Sequence, residues 1–389
     1  MNSGQYAFSQ LIALLSTTSF RTCVNRYNGN YKVKEFTCWK QFLCMIFGQI
    51  TQRESLSDTI ICLGANEDKL YHLGIGKLIS KSTLSKANEN RDWRIFADYA
   101  MVLIRQAKEL YVNDNFSDLT LTNNIFAIDA TTIDLCLNTF CWATFKQTKA
   151  AIKVHVQLDI KTSIPEFIHI TNASIHEVNI LDKIVFAKDN IYLLDRGYLD
   201  FKRLYKIHLS DAFFVIRSKD NCNFNRIYSN ECDKSKGIMC DQIIRLSSHY
   251  PLKYYPIKLS RIKYIDPESS KTLIFLTNNL EVKATEIALL YKNRWKVELF
   301  FKWIKQHLKI KSFWGQSENA VKTQVWIAIA TYVLVAIAKK KFCIQNSLYE
   351  ILQILSMSIF EKKPINAMFE KYEIQKNNMD LDNQLSIFE

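Results

Sequence analysis

Three acids in this chain sit where an acid needs a reason. Asp129 interrupts "FAIDATT", Asp195 ends the apolar run in "IYLLDRGY", and Glu298 is the lone acid of "YKNRWKVELFFKWIKQHLKI". In that last stretch it is surrounded by Lys292, Arg294, Lys296, Lys302, Lys305 and Lys309. A carboxylate within an apolar strand is unfavourable unless it is paired or bound to a metal. Three carboxylates brought together can hold two Mg²⁺ ions, with Mn²⁺ as a substitute, and such a pair suits in-line attack on a phosphodiester. Each acid also has an ordinary alternative. Asp195 can pair with Arg196 or Arg203, and Glu298 with Arg294 or Lys302 at i,i+4 spacing. Those alternatives stay open for any acid taken alone; the ordered trio favours chemistry.

The elements that must position these acids are legible in outline. Residues 291–310 contain no Gly or Pro and read as one helix. At roughly 100° per residue, Tyr291, Arg294, Glu298 and Lys305 fall within an arc of about 60°. Upstream, "IFAIDATTIDLCL", "AAIKVHVQLDI" and "EFIHITNAS" read as three strands. They are followed by a helix in "HEVNILDKIVFA", a buried strand in "NIYLLDRGY", a helix in "FKRLYKIHL" and a strand in "DAFFVIRS". This order predicts an α/β fold with a mixed sheet. In a ribonuclease-H-like sheet the first and fourth strands are neighbours. Asp129 and Asp195 would then meet at one edge, and a helix packed over it would deliver Glu298. Strand-like runs in "QIIRLSS", "YYPIKLSRIKYI" and "KTLIFLTN" mark residues 219–282 as β-rich.

The chain has 389 residues, 48% of them hydrophobic, and a formal charge of +13, which points to a polyanionic partner such as double-stranded DNA. Its ten cysteines include no C-x-x-C pair, and Cys222, Cys232 and Cys240 match no common zinc spacing. They read as buried thiols in a reducing cytoplasm. The N-terminus lacks the basic start and cleavage site of a signal peptide. The apolar run from Val325 to Ala338 is short for a bilayer and reads as a buried helix, so no membrane partner is expected.

Before Leu121 the pattern is helical, at Phe8–Ser16, Phe36–Ile50, Leu56–Leu63 and Trp93–Tyr111. Between them Gly74 and Gly76 break the chain, and Ser82 or Thr83 can cap a helix carrying Lys86, Asn88, Asn90 and Arg91. That layout fits a helix-turn-helix DNA reader, with Lys86, Asn88 and Arg91 as DNA contacts; a plain helical bundle fits it too. The expected division is an α-helical N-terminal DNA-binding domain at 1–118 and a catalytic domain at 119–345. A C-terminal helical region at 346–389 ends in a polar tail after Glu373.

With these segments in order, the chain resembles the DDE transposases of bacterial insertion sequences, specifically insertion-sequence family four. The family signature is Tyr-x-x-Arg-x-x-x-Glu-x-x-x-x-x-x-Lys, and Tyr291, Arg294, Glu298 and Lys305 match it. The "IDATTIDL" and "DRGY" segments are similar to the family's acid-bearing segments, and "STLSKANENRDW" to a domain often fused ahead of them. The resemblance implies a ribonuclease-H-like core with a β-rich insertion at 219–282, before the last acid, and with Asp129, Asp195 and Glu298 as catalytic metal ligands. It implies that Tyr291, Arg294 and Lys305 hold the DNA backbone. It further implies cut-and-paste transposition: binding of terminal inverted repeats, cleavage through hairpin ends, and joining of 3′-hydroxyls to target DNA. The protein would act as a homodimer on DNA in the bacterial cytoplasm, at the nucleoid. One departure stands out. Relatives stack a flipped base on a tryptophan in the insertion, whereas none of the seven tryptophans here lies between Asp195 and Tyr291.

Two rival functions share these features. A nuclease of the same fold would cut without joining strands, and a catalytically dead DNA-binding protein would do neither. Intact acids weigh against the second.

Overall fold

A computed structural model of the chain describes residues 4–112, 121–218 and 222–370. The boundary expected at 118 and the polar tail after Glu373 lie outside the described residues. The chain forms two compact units: residues 1–113, 138–142 and 302–389 in one, and 114–137 with 143–301 in the other.

The first unit opens with six helices: α1 (Ala7–Ile12), α2 (Thr17–Arg26), α3 (Cys38–Ile50), α4 (Leu56–Gly64), α5 (Lys81–Asn90) and α6 (Arg94–Tyr111). Helices α2 to α5 start on Ser16, Thr37, Ser55 and Ser80. Each side-chain oxygen there accepts an otherwise unpaired backbone N–H. The cap of α5 is thus Ser80, earlier than Ser82 or Thr83. Rings of Phe20, Trp39, Phe42, Phe96 and Tyr99 interlock between α2, α3 and α6.

The second unit is built on one ten-stranded sheet. Its strands are β1 (Ile125–Leu135), β2 (Thr144–Lys146), β3 (Lys149–Asp159), β4 (Pro165–Asn172), β5 (Ile191–Leu194) and β6 (Phe213–Arg217), then β7 (Phe224–Asn230), β8 (Ile238–Leu246), β9 (Leu259–Ile265) and β10 (Thr272–Thr277). The spatial order is β2-β3-β1-β5-β6-β10-β9-β8-β7, and β4 also pairs with β3. β1, β5 and β6 are parallel, and β3 is antiparallel to β1. This is a mixed, ribonuclease-H-like sheet. The β-rich insertion does not fold apart from it: β10 pairs with β6, so β7 to β10 extend the same sheet.

One face of this sheet buries Phe126, Ile128, Tyr192, Leu194, Phe214 and Ile216, with Leu204 and Ile207 from α7 (Phe201–Leu209). A short helix α8 (His249–Tyr254) packs on α7 and β8. The expected helix in "HEVNILDKIVFA" is only a 3₁₀ turn at Glu177–Asp182, because Ile180, Leu181 and Ile184 are anchored in that same core. The expected single helix of residues 291–310 is also interrupted. α9 (Ala284–Asn293) and α10 (Trp295–His307) meet at Arg294, where i→i+3 bonds from Arg294 to Tyr291 and from Val297 to Arg294 tighten the turn.

The chain then returns to the helical unit with α11 (Glu318–Lys341) and α12 (Leu348–Ser358). α11 is apolar all round and packs on α3, α5, α6 and α12. It is long and apolar enough to cross a membrane by length and composition, yet 94% of its most apolar window is buried inside the protein. Residues 302–345 therefore group with the N-terminal helices rather than with the sheet, because those helices wrap α11. No disulfide joins any of the ten cysteines; Cys23, Cys38 and Cys44 are buried as expected, while Cys136, Cys141 and Cys343 are exposed.

Candidate active site

β1 and β5 pair with Ile125 opposite Ile191 and Ile128 opposite Leu194. The next residue on each chain is an acid, so Asp129 and Asp195 stand level where the parallel pairing ends. Strand alternation turns Asp129 away from the face that buries Phe126 and Ile128. Its Oδ1 accepts the backbone N–H of Ala130 at 2.8 Å.

Arg294, at the α9–α10 junction, reaches into this edge. Its Nη1 donates to Asp129 Oδ2 at 3.0 Å, and its Nη2 donates to Glu298 Oε1 one turn on. The guanidinium is largely buried, with its side chain 14% exposed, and its Nε has no acceptor. The hydroxyl of Tyr291 donates to Asp195 Oδ1 at 3.2 Å, and its ring packs on Phe275 of β10. The three acids and two of the signature residues thus form one connected set. Lys305 lies further along α10, in the portion grouped with the helical unit.

The electrostatics follow from this crowding. Burial pushes the Asp129 carboxyl up to about 6. The charges of Glu298 and Asp195 push the same way, against the Ala130 N–H and Arg294. Arg294 is held in its charged form: burial opposes the charge, and Tyr291, Asp129 and Glu298 outweigh it.

Among the described residues, no three His, Cys, Asp or Glu side chains stand ready to hold a metal ion as they lie. Arg294, a cation, lies between Asp129 and Glu298 as these acids stand. The donor set nevertheless suits a hard divalent ion, since it is carboxylate oxygen throughout, with Asp129 and Glu298 sharing Arg294 and Asp195 bonded to Tyr291. Sequence reasoning missed Tyr198. It is 1% exposed, its hydroxyl has no partner, and it lies within electrostatic reach of Asp129 and Asp195. Its place in "DRGY", three residues after Asp195, was the available signal.

Residues 121–334, more than half the chain, match the family model described as a transposase DDE domain. The chain belongs to the DDE transposase family. Residues 3–76 match a domain of unknown function, DUF4372. A Sinorhizobium fredii protein named as transposase y4zB is 31% identical over 290 residues, covering 73% of this chain and 79% of its own. A Geobacillus stearothermophilus protein named as the transposase of insertion sequence element IS5377 is 29% identical over 213 residues, 53% of this chain and 54% of that one. A Synechocystis protein named for insertion sequence element IS4SA is 23% identical over 262 residues, 67% and 72% of the two chains. The transposase is accordingly a metal-dependent enzyme of an insertion sequence that binds DNA, cleaves it and transfers strands.

In this transposase the expected DNA contacts on α5 separate. Lys86 is exposed, but Asn88 is 2% exposed, its amide bonded to Gln41 and to the Met45 sulfur. Arg91 donates to Gln41 and to the Phe36 carbonyl and lies over the Phe36 ring. Asn88 therefore holds α5 to α3 and is withdrawn from any base edge. α4 and α5 are separated by residues 65–80, too long for a tight helix-turn-helix. Asn88 lies on the inward face of α5, and Arg91, just past its end, is half-buried and bonded to Gln41 and Phe36; the sequence carries no mark of either.

Proposed function

We propose that Asp129, Asp195 and Glu298 are the catalytic metal ligands of a family-four insertion-sequence transposase that works by cut-and-paste. The observation that carries this reading is the bridge of one guanidinium between Asp129 and Glu298, with Asp195 level with Asp129 across the strand pair. Such a set suits two Mg²⁺ or Mn²⁺ ions once Arg294 moves aside. When bound, the ions supply Lewis-acid stabilisation and favour ionisation of the attacking water or 3′-hydroxyl.

The chain's own residues do the rest. The three carboxylates hold position at the edge of a rigid sheet, and Tyr291 orients Asp195 through its hydroxyl. Arg294, released from the acids, joins Tyr291 and Lys305 in gripping the DNA backbone near the scissile phosphate. A guanidinium fork and a phenol can offset the few kcal/mol needed to unstack a base in a hairpin end. The protein binds the terminal inverted repeats of its element as a homodimer and joins the freed 3′-hydroxyls to target DNA.

The test is a duplex ending in the sequence that flanks the gene, incubated with protein and Mg²⁺ and resolved on a denaturing gel. Nicked ends, hairpins and joined target strands should appear in that order. Nicks without joined product would favour a nuclease, and binding without cleavage a repressor.

A further inference from the structure

Two of the hollows on the helical unit, of about 590 Å³ and about 960 Å³, both include Lys34, Phe36 and Thr83 in their walls. They therefore adjoin, with these three residues between them. The smaller is also lined by Lys86 and Tyr31, the larger by Lys40, Lys77 and Tyr71. None of the four lysines 34, 40, 77 and 86 makes an ion pair among the described residues. Two acids share these walls, Glu35 and Asp92, and Asp92 is held by Arg94. The positive charge of this surface is thus left without an internal counterion. Tyr31 and Tyr71 stand 73% and 81% exposed, one at each hollow. Lys40 lies close over Gly76, where an added Cβ would come within 3.2 Å of its ammonium.

We infer that these two adjoining hollows form a groove for the backbone of duplex DNA. The inference rests on the transposase reading above and gives the N-terminal domain a role. Unpaired lysines along a concave surface suit the phosphates of a duplex, and lysine serves there as a point charge needing no fixed geometry. The tyrosine hydroxyls can donate to phosphate oxygens beside them. The contact lies across the groove and not through Asn88, which faces the interior. The groove is a clamp on the backbone.

The test measures binding of the full-length protein to a labelled duplex of the sequence flanking its gene, over a range of salt. Replacing Lys34, Lys77 and Lys86 together with Gln should shrink the salt dependence of log K by about 0.9 per lysine and weaken binding on the order of 100-fold near physiological salt. A matched triple of exposed lysines elsewhere, Lys188, Lys202 and Lys271, changed to Gln should have a much smaller effect. An unchanged slope, an equal loss in the matched triple, or tighter binding to single-stranded than to duplex DNA would overturn the groove. Because these lysines are solvent-exposed, thermal melting should be unaltered; a melting loss is met by testing each single Gln variant for its own slope change. Wild-type cleavage of the same duplex in Mg²⁺ reports separately on the proposed function. Its absence would sink that reading, whereas cleavage with an unchanged slope sinks only the groove.

Discussion

Arg294 and Asp129 are joined by an ion pair of 3.0 Å although 165 residues separate them, and the same guanidinium also holds Glu298. The signature arginine is therefore the internal counter-cation of the acids in this state. On the proposed assignment a divalent ion would compete with Arg294 for Asp129 and Glu298, which would link metal binding to release of the arginine.

That competition is measurable as stability. Arg294→Gln should destabilise the metal-free protein, by up to about 3 kcal/mol, because it leaves buried carboxylates without their partner. Mn²⁺ should then raise the melting temperature of Arg294→Gln more than that of wild type. Melting curves in chelator and in Mn²⁺ decide it, and an equal rise in both proteins would count against the shared position. In cleavage assays Arg294→Ala and Tyr291→Phe should nick well but accumulate nicked ends with little hairpin.

Asp129→Asn, Asp195→Asn and Glu298→Gln should each remove cleavage while leaving DNA binding largely intact. Losing several kcal/mol of Lewis-acid stabilisation corresponds to about three powers of ten in rate. Rate and binding are measured on the same duplex. A fully active Glu298→Gln protein would refute the site.

His155 on β3 makes stability depend on pH. Its ring is buried, with Nε2 bonded to Thr171 at 2.9 Å, and burial, with His169 and Lys153 nearby, lowers it to about 4. The folded value lies below the unfolded value of about 6.5, so the neutral ring's contribution is complete above 6.5 and is lost as pH falls toward 4. Between pH 7 and pH 5 the loss should be about 2 kcal/mol. Denaturant titrations at both pH values should show it in wild type and show a flatter dependence in His155→Gln.

Gly48 in α3 should not tolerate alanine, although Ala usually stabilises a helix interior by up to about 1 kcal/mol. An added Cβ would lie 2.7 Å from the Trp314 ring and 2.9 Å from Thr59 Oγ1. Gly48→Ala should destabilise by about 1–3 kcal/mol through overpacking. A stabilised variant by thermal melt would show that Trp314 yields freely.

Much of this protein was decided by its sequence alone. The order of Asp129, Asp195 and Glu298, the spacing from Tyr291 to Lys305, and the change from helical to strand periodicity at Asn124 are local patterns that survive without a fold. Apolar runs with period two or 3.6 announce their element because each must bury one face. Other features belong to the tertiary structure. Nothing local places Asp129 level with Asp195; the register of β1 on β5 does so, through backbone bonds between segments 66 residues apart. The break at Arg294 also escapes the residue pattern, since its residues suit a continuous helix and the bridge to Asp129 accompanies the turn. Asn88 looks like a surface amide until Gln41 and Met45, some 45 residues earlier, close over it. The same holds for α11, whose apolar surface calls for a surround without saying which helices supply it. Periodicity reports which side of an element is buried, whereas partner choice depends on contacts distant in sequence, which only the folded chain brings together.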